Sequence, residues 1–196
     1  MTYIYLVRHA AYENPKHIFH GRSPGFPLSA QGHEQAKRLA SSMSHLPIHA
    51  IYTSPLTRTY QTAQAIAYIH GLSIQTDDRL LDVKTPLQGE PVSYLESINW
   101  NFYRPEFLAR GGESLREMFK RIDSCIREKV AAHREQHIVF LSHGDPIMTI
   151  KIKYLGRPLR SRKPMYPYVP VAGGYIITID DPWVVKSVRD LPTDNH

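Results

Sequence analysis

Two short apolar segments, each leading into a histidine, constrain the fold of this chain more than any other feature. Tyr3–Val7 is a run of aromatic and branched residues that precedes His9 by one residue. Ile138–Leu141 precedes His143 in the same way, and Ala50–Thr53 is a third short run of this kind. Such runs are typical of buried strands in a parallel sheet. Both histidines are therefore expected at the carboxyl ends of strands, where open α/β sheets form their ligand crevice.

Helical segments are predicted between these strands. Ser29 is suited to cap a helix, Pro55 to occupy a first turn and Gly71 to end a helix. Ser114 and Glu117 have the spacing of a capping box. The predicted helices are Ser29–Leu46, Pro55–Gly71, Ser114–Val130 and Asp145–Leu155, and the predicted final strands are Ala172–Ile179 and Val184–Val188. This alternation predicts an α/β fold of three layers, α/β/α, with a mainly parallel central sheet.

The length and charge of the chain limit its domain organisation and its ligands. With 196 residues, of which 42% are hydrophobic, we expect residues 1–196 to form a single domain. Lys and Arg number 24 against 18 acidic residues, and this balance favours anionic ligands. A small anionic substrate is expected rather than nucleic acid, because no nucleic-acid-binding motif accompanies the basic residues. The densest basic cluster is Arg157, Arg160, Arg162 and Lys163.

The cysteine content and the N-terminal sequence indicate in which cellular compartment the protein is expected. Cys125 is the one cysteine, so no intramolecular disulfide forms, and this fits a reducing environment. The N-terminus has no basic leader before an apolar run, and no apolar run reaches membrane-spanning length. We therefore expect a cytoplasmic protein without a membrane partner. The sequence carries no indication of an oligomeric state.

Two arginines are expected to lie beside the two histidines. Arg8 directly precedes His9, and Arg58 falls in the first turn of the helix that follows the strand Ala50–Thr53. Arginine donates paired hydrogen bonds to phosphate oxygens, and a helix N-terminus adds backbone donors. A single arginine or histidine would be weak evidence for an anion site. Here two arginines and two histidines all fall on one predicted edge of the sheet. Arg8, His9, Arg58 and His143 are therefore expected to surround one anion.

Five short motifs occur in a fixed order over about residues 3 to 150. They are LVRHA at 6–10, PLSAQGHEQA at 27–36, SPLTRTYQTA at 54–63, GGES at 111–114 and SHGDP at 142–146. These motifs and their order resemble the histidine phosphatase, or phosphoglycerate mutase-like, superfamily. The resemblance implies a phosphoglycerate mutase-like fold and a metal-independent phosphomonoester hydrolase.

The resemblance also implies a role for each residue of the predicted anion site. His9 would attack phosphorus, forming a phosphohistidine that water then hydrolyses. Arg8, Arg58 and a protonated His143 would stabilise the charge on the transferring group. These cations stand in for a metal ion, so neither a metal nor another cofactor is expected. The expected substrate is a small phosphorylated metabolite.

The proton donor for the leaving oxygen is expected at Asp82. The family usually has a glutamate after a leucine-rich segment, and residues 79–83 (RLLDV) align with that segment. Aspartate is shorter by one methylene but is chemically able to act as a general acid. One alternative is that Asp82 caps the chain or pairs with Arg79. Another is that a different carboxylate donates the proton, with Glu13, Glu90 and Glu113 as candidates.

The irregular segment after His9 supplies further binding candidates and departs from the family pattern twice. Ala10 replaces the usual glycine, which matters if the position requires a positive φ. Asn14 lies one position closer to His9 than the family's loop asparagine, so Tyr12, Lys16 or Arg22 could present polar groups in its place. The predicted substrate-binding residues are Asn14, Gly21, Arg22 and Gly144.

Two segments, Tyr12–Phe26 and Thr85–Phe107, are expected to form the walls of the substrate site, and we call them the wall segments. The second is rich in aromatic residues that either line the site or pack as core, packing being the commoner fate. These aromatic residues are Tyr94, Trp100, Phe102 and Tyr103.

Two other functions compete with a phosphatase. A phosphoglycerate mutase uses the same pocket but generally has a longer insertion between the motif that contains Arg58 and the motif that contains His143. Only 84 residues separate Arg58 from His143, which favours a phosphatase. A catalytically weak phosphate-binding module is the third reading, and it would be favoured by loss of a pocket residue. All four residues of the predicted anion site are present.

Overall fold

The computed structural model describes residues 1–160 and 167–192. Its strands are β1 (Thr2–Arg8), β2 (Ile48–Thr53), β3 (Ile74–Thr76), β4 (His137–Ser142), β5 (Gly174–Asp180) and β6 (Val184–Asp190). They form one sheet in the order β3-β2-β4-β1-β5-β6. The first four strands pair in parallel, whereas β5 runs antiparallel to both β1 and β6. The prediction of a mainly parallel sheet is confirmed.

Helices connect the strands and cover the sheet. They are α1 (Ala30–Met43), α2 (Thr57–His70), α3 (Val92–Ser97), α4 (Pro105–Ala109), α5 (Leu115–Ala132) and α6 (Gly144–Tyr154), with a 3₁₀ turn at Asp78–Leu80. Within the described ranges, none of them combines the length and apolar character needed to cross a bilayer. Two members of the predicted basic cluster, Arg162 and Lys163, lie outside the described residues.

The core lies on both faces of the sheet, because successive side chains of a strand point to opposite sides. Ile4 and Leu6 of β1 belong to a buried cluster that includes the apolar faces of α5 and α6. Tyr5 and Val7 belong to a second cluster, formed with α1 and α2. The predicted arrangement of three layers is therefore confirmed.

The helix ends follow local chemistry, with shifts of a few residues from the predicted bounds. The Ser29 hydroxyl accepts a hydrogen bond from the N–H of Gly32, and the capping box of Ser114 and Glu117 is present. Gly71 ends α2 in the left-handed conformation, with φ 64°. α1 ends at Met43 rather than Leu46, since Pro47 disfavours helical geometry in the residue before it.

The start of α2 is the second shift. The helix begins at Thr57, two residues after the predicted start at Pro55. The Ser54 hydroxyl accepts the N–H of Leu56 in a turn that precedes the helix. Arg58 nevertheless lies in the first helical turn, where it was expected.

Three elements, β3, α3 and α4, have no counterpart in the sequence prediction. They are 3, 6 and 5 residues long, too short to show hydrophobic periodicity. α3 lies in the second wall segment, and α4 begins in it. Tertiary contacts, rather than helix propensity, hold helices of this length.

Candidate active site

The carboxyl ends of β1, β2 and β4 meet at one edge of the sheet. Arg8 pairs with Ser142 across β1 and β4, so the next residue of each strand brings His9 beside His143. The two imidazole rings are 5.2 Å apart between centroids. The hydroxyl of Ser54, which follows β2, lies 2.9 Å from Nε2 of His143. The strand register alone thus explains why residues distant in sequence share one site.

Arg58 connects the strand ends to the loops above them. Its guanidinium is buried, with 2% of the residue exposed. Its Nη2 donates a hydrogen bond to the carbonyl of Gly21 at 2.7 Å and to Oδ2 of Asp82 at 3.3 Å. The same nitrogen lies 3.2 Å from Nδ1 of His143. Nη2 has two hydrogens and donates only, so one of them is shared between Oδ2 of Asp82 and Nδ1 of His143, which accepts.

The contacts of His9 fix its tautomer. Nδ1 lies 2.8 Å from the carbonyl oxygen of Ala10, and a carbonyl can only accept, so Nδ1 carries the proton. Burial, followed by the charges of Arg58 and Arg8, holds the pKa of His9 well below its ordinary value of 6.5. The imidazole is therefore neutral near pH 7, and the lone pair is on Nε2. A neutral imidazole with a bare nitrogen is the form that can act as a nucleophile.

His143 has the opposite tautomer and is also neutral. Nδ1 accepts from Arg58, so Nε2 carries the proton and donates to Ser54. Burial and the charge of Arg58 are the leading causes that hold the pKa of His143 well below 6.5, with His9 and Arg8 adding to them. The expectation of a protonated His143 concerns the site with a phosphoryl group in place, and it stays a prediction. A phosphate dianion bound nearby would favour the protonated form.

We expect the imidazole of His9 to titrate with a midpoint below 6.5 in the free protein, because the ring is buried and protonation adds a charge beside two guanidinium groups. Replacing Arg58 with Met should raise the midpoint, since one of these charges is removed. Histidine NMR signals followed against pH, with His9→Gln used to assign the His9 resonance, measure both values. An unchanged or lower midpoint in Arg58→Met would contradict the electrostatic account of this site.

The strand ends open into a cavity of about 470 Å³. Six of the nine predicted site residues line it: Arg8, His9, Asn14, Arg58, Asp82 and Gly144. The other three do not line it: Gly21, Arg22 and His143. His143 is fully buried behind the cavity wall, so it acts on the cavity through its contacts with Arg58 and Asp82.

Two buried donors at this end of the cavity lack a hydrogen-bond partner. Among the residues that the structure describes, Nε of Arg8 and Nε of Arg58 are buried and bond to nothing. A buried donor left unsatisfied costs about 1–3 kcal/mol. Both arginines line the cavity beside His9, so oxygens of a bound anion are suitable acceptors for them.

Asp82 lies next to Arg58 and His143 at the edge of the cavity. Its Oδ2 is 3.3 Å from Arg58 Nη2 and 3.6 Å from Nδ1 of His143, and its Oδ1 accepts the N–H of Val83. Burial raises the pKa of the Asp82 carboxyl, while Arg58 opposes this effect. A raised pKa increases the protonated fraction that a general acid needs.

A cluster of charged side chains holds the backbone of Asp82 in place. Arg121 donates to the carbonyls of Arg79, Leu81 and Asp82. The predicted binding residue Arg22 also donates to the Asp82 carbonyl, at 2.7 Å, instead of facing the cavity. Glu113, 8% exposed, receives hydrogen bonds from both Arg22 and Arg121.

The other carboxylates considered as proton donors are placed less suitably. Glu113 is engaged by two arginines, and Glu13 and Glu90 are exposed and do not line the cavity. Arg79 pairs with Asp77 and Glu128, so the alternative pairing of Asp82 with Arg79 is wrong. Asp82 pairs with Arg58 instead.

The two departures from the family pattern have different outcomes. Ala10 is buried and has no positive φ, so its backbone needs no glycine. Asn14 lines the cavity, but its amide is bonded twice to the backbone of Ile18, at 3.0 and 3.1 Å. The asparagine therefore shapes its loop as well as facing the substrate space.

Glycine is required sterically at the start of α6. A Cβ added to Gly144 would collide with the ring of Tyr168. The phenol of Tyr168 donates to Oδ1 of Asp145 at 2.7 Å, and Tyr103 donates to Oδ2. Tyr168 and Asp145 line the cavity, and the guanidinium of Arg8 lies 5.4 Å from the Tyr168 ring centroid. The sequence analysis missed Tyr168, because no motif surrounds it.

The wall segments are joined to each other by backbone hydrogen bonds. Phe19 accepts from the N–H of Gly89 and donates to the carbonyl of Glu90, both at 2.8 Å, and Val92 donates to the carbonyl of His17 at 2.9 Å. Several of their apolar side chains line the cavity, and we call this set the apolar wall: Ile18, Phe19, Val92, Trp100 and Phe102.

Three of the four aromatic residues in the second wall segment follow the two fates considered for them, and Tyr94 follows neither. Trp100 and Phe102 line the cavity and also pack against the core. Tyr103 is buried in the core and is hydrogen-bonded to Asp145, whereas Tyr94 is 40% exposed.

Comparison with known proteins agrees with the motifs. A model of the "Histidine phosphatase superfamily (branch 1)" matches residues 4–188. Phosphoserine phosphatase 1 of Hydrogenobacter thermophilus is 32% identical over 169 residues, covering 80% of this chain and 77% of the relative. A probable phosphoglycerate mutase, GpmB of Escherichia fergusonii, is 30% identical over 166 residues, covering 81% and 77%.

The fold is also shared with solved structures. A mycobacterial glucosyl-3-phosphoglycerate phosphatase in complex with inorganic phosphate superposes with a TM-score of 0.79, covering 97% of this chain and 96% of that chain. The sequence identity of this pair is 20%, so the similarity establishes the fold alone. The expected phosphoglycerate mutase-like architecture is confirmed.

Proposed function

Because the chain belongs to the histidine phosphatase superfamily, branch 1, we propose that it hydrolyses small phosphate monoesters through a phosphohistidine on His9. One observation carries this proposal. A buried, neutral imidazole faces a cavity in which two arginines hold unpartnered Nε–H groups. This combination provides a nucleophile and the donors for an anionic phosphoryl group in one place.

In the first step, Nε2 of His9 attacks phosphorus and the ester P–O bond breaks. Asp82, in its protonated form, gives its proton to the leaving oxygen, so the product is a neutral alcohol. Arg8 and Arg58 bind the non-bridging oxygens, on which the negative charge of the transition state is spread. His143 supports this arrangement from behind the cavity wall, where its Nδ1 lies 3.2 Å from Nη2 of Arg58 and 3.6 Å from Oδ2 of Asp82.

In the second step, water attacks the phosphohistidine. The Asp82 carboxylate, left without its proton after the first step, removes one from the water. The P–N bond breaks, inorganic phosphate forms and His9 returns to the neutral state. The same carboxyl group therefore acts first as acid and then as base, and the cycle closes with no net proton change on the protein.

Hydrolysis is favoured over phosphoglycerate mutase activity by the short spacing of 84 residues between Arg58 and His143. A mutase must also retain its intermediate and exclude water between its two half-reactions. A phosphatase among the relatives supports hydrolysis, and a probable mutase makes transfer the second candidate. Incubation with a phosphomonoester and excess phosphoglycerate distinguishes the two: release of inorganic phosphate supports hydrolysis, and transfer to the second alcohol supports a mutase.

We expect turnover of 4-nitrophenyl phosphate to continue in the presence of a chelator and without added metal, because Arg8, Arg58 and His143 provide the polar stabilisation that a metal ion would otherwise supply. Phosphate release before and after exhaustive treatment with EDTA measures this. A metal-dependent phosphatase assayed in the same buffer is the control. Loss of activity that a divalent ion restores would contradict the assigned site.

A further inference from the structure

The cavity has two chemically different ends. The inner end contains His9 with Arg8 and Arg58, and it accounts for the phosphoryl group. The rest of the lining contains the apolar wall of Ile18, Phe19, Val92, Trp100 and Phe102, together with polar residues that include Tyr12, Asn14 and Asn99. Any alcohol attached to a phosphoryl group on His9 therefore extends towards aromatic and branched side chains.

The rings of the apolar wall are packed against one another. Phe19 stacks on Phe102 with a centroid separation of 4.9 Å, and Trp100 meets both rings edge-on at 6.3 Å. Phe102 is 2% exposed and anchors the group, whereas Phe19 and Trp100 keep part of their surface accessible. The wall thus offers an ordered aromatic surface, and a ligand loses little by ordering it.

The backbone at Trp100 supports a functional role for this surface. Asn99 and Trp100 both have a φ of 53°, in the left-handed region that bulky residues rarely adopt. Hydrogen bonds from their N–H groups to the carbonyls of Glu96 and Leu95, at 2.9 and 2.7 Å, hold this conformation. Unfavourable conformations of this type concentrate at ligand sites, and here the result is an indole placed on the cavity.

The charges around the cavity argue against an acidic alcohol. Among the lining residues that the structure describes, the cationic side chains are Arg8 and Arg58, both at the phosphoryl end. The lining also contains the carboxyl groups of Asp82 and Asp145. A carboxylate on the substrate would therefore be desolvated against hydrocarbon with no cation beside it, which is costly.

We propose that the substrate is the phosphate monoester of an uncharged alcohol bearing an aromatic ring, which packs on Phe19 and Trp100. This inference rests on the proposed function, because it identifies the alcohol from which phosphate is removed. It distinguishes the chain from enzymes whose phosphorylated alcohol carries a carboxylate.

Three esters with primary alcohol leaving groups test this: 3-phenylpropyl phosphate, propyl phosphate and 2-carboxyethyl phosphate. We expect the phenyl ester to exceed the propyl ester in kcat/KM by about 10- to 100-fold, the value of burying one such ring. The carboxylate ester should fall below the propyl ester. Equal values for the phenyl and propyl esters, or a preference for the carboxylate ester, would overturn the proposal.

Variants of the apolar wall test whether these residues cause the preference for the phenyl ester over the propyl ester. Trp100→Leu and Phe19→Leu keep an apolar side chain but remove a ring, and each should reduce the ratio between phenyl and propyl esters by about tenfold. Tyr68→Ala, at an aromatic residue of α2 that is 89% exposed, is the matched control and should leave the ratio unchanged. A ratio that persists in both Leu variants would remove the wall from this role.

Binding measurements separate this inference from the proposed function. Calorimetry with 3-phenylpropylphosphonate and propylphosphonate requires no turnover. If no ester is hydrolysed but the phenyl compound binds more tightly by about 10- to 100-fold, the proposed function fails and the aromatic specificity of the cavity stands. If esters are hydrolysed and the two phosphonates bind equally, the specificity inference fails and the phosphatase function stands.

Discussion

His9→Ala is expected to lower kcat by at least about 10⁴-fold, because no neighbouring side chain can supply a neutral nitrogen at the same position. His143 is fully buried and both of its ring nitrogens are engaged, by Arg58 and Ser54. Steady-state phosphate release measures the loss. Rapid quenching without acid, using a labelled phosphomonoester, should place the label on His9 in the wild type and on no residue of the variant.

Two controls separate lost chemistry from lost structure. His33→Ala removes an exposed histidine of α1 and should retain wild-type turnover. Imidazole added to His9→Ala can enter the space left by the side chain and should restore part of the activity, which a misfolded protein could not recover. Label on a serine, an aspartate or Cys125 would refute the assigned mechanism.

Asp82→Asn is expected to slow alkyl phosphates by about 10²–10⁴-fold, the usual contribution of a general acid. An alkyl phosphate leaves as a basic alkoxide that must be protonated as its bond to phosphorus breaks. A nitrophenyl phosphate leaves as a stable anion and should lose about tenfold or less. The rate of phosphoenzyme formation in a single turnover, compared for propyl and 4-nitrophenyl phosphate, measures both effects on the same chemical step.

The comparison of the two rate losses, one for propyl phosphate and one for 4-nitrophenyl phosphate, makes this test specific to proton transfer. General damage to the fold would lower both rates together, and equal losses would remove Asp82 from the role of acid. Asp78→Asn, at an exposed carboxylate four residues earlier in the chain, is the matched control and should leave both rates unchanged.

The parts of the fold that local chemistry determines could be predicted from the sequence. The apolar runs of β1 and β4 end at His9 and His143, and because parallel strands align their carboxyl ends, the meeting of these residues follows from pattern alone. Cap residues such as Ser29 and Gly71 depend only on neighbours within a few positions. The place of Asp82 in the site came from resemblance to a family, since nothing in its local sequence distinguishes it.

Features that depend on tertiary contacts could not be predicted. Arg22 was expected to face the substrate, but its guanidinium reaches the Asp82 carbonyl, 60 residues away in the chain. The neutral state of His143 depends on burial and on the charge of Arg58, neither of which is visible in a motif. Tyr168 contacts Asp145 and Gly144 only because the chain folds back over the start of α6.

The backbone hydrogen bonds between the wall segments have a consequence for how specificity changes in evolution and in engineering. These bonds join His17 and Phe19 to Gly89, Glu90 and Val92 through main-chain atoms, so they do not depend on which side chains the segments carry. Side chains on the apolar wall can therefore be exchanged while the backbone hydrogen bonds between the wall segments persist and the catalytic groups stay on the strand ends. The ring packing between Phe19 of one segment and Trp100 and Phe102 of the other does depend on side chains, and grafting a single segment would break it. The two segments together are therefore the smallest module that can be transplanted to redirect this scaffold to another substrate.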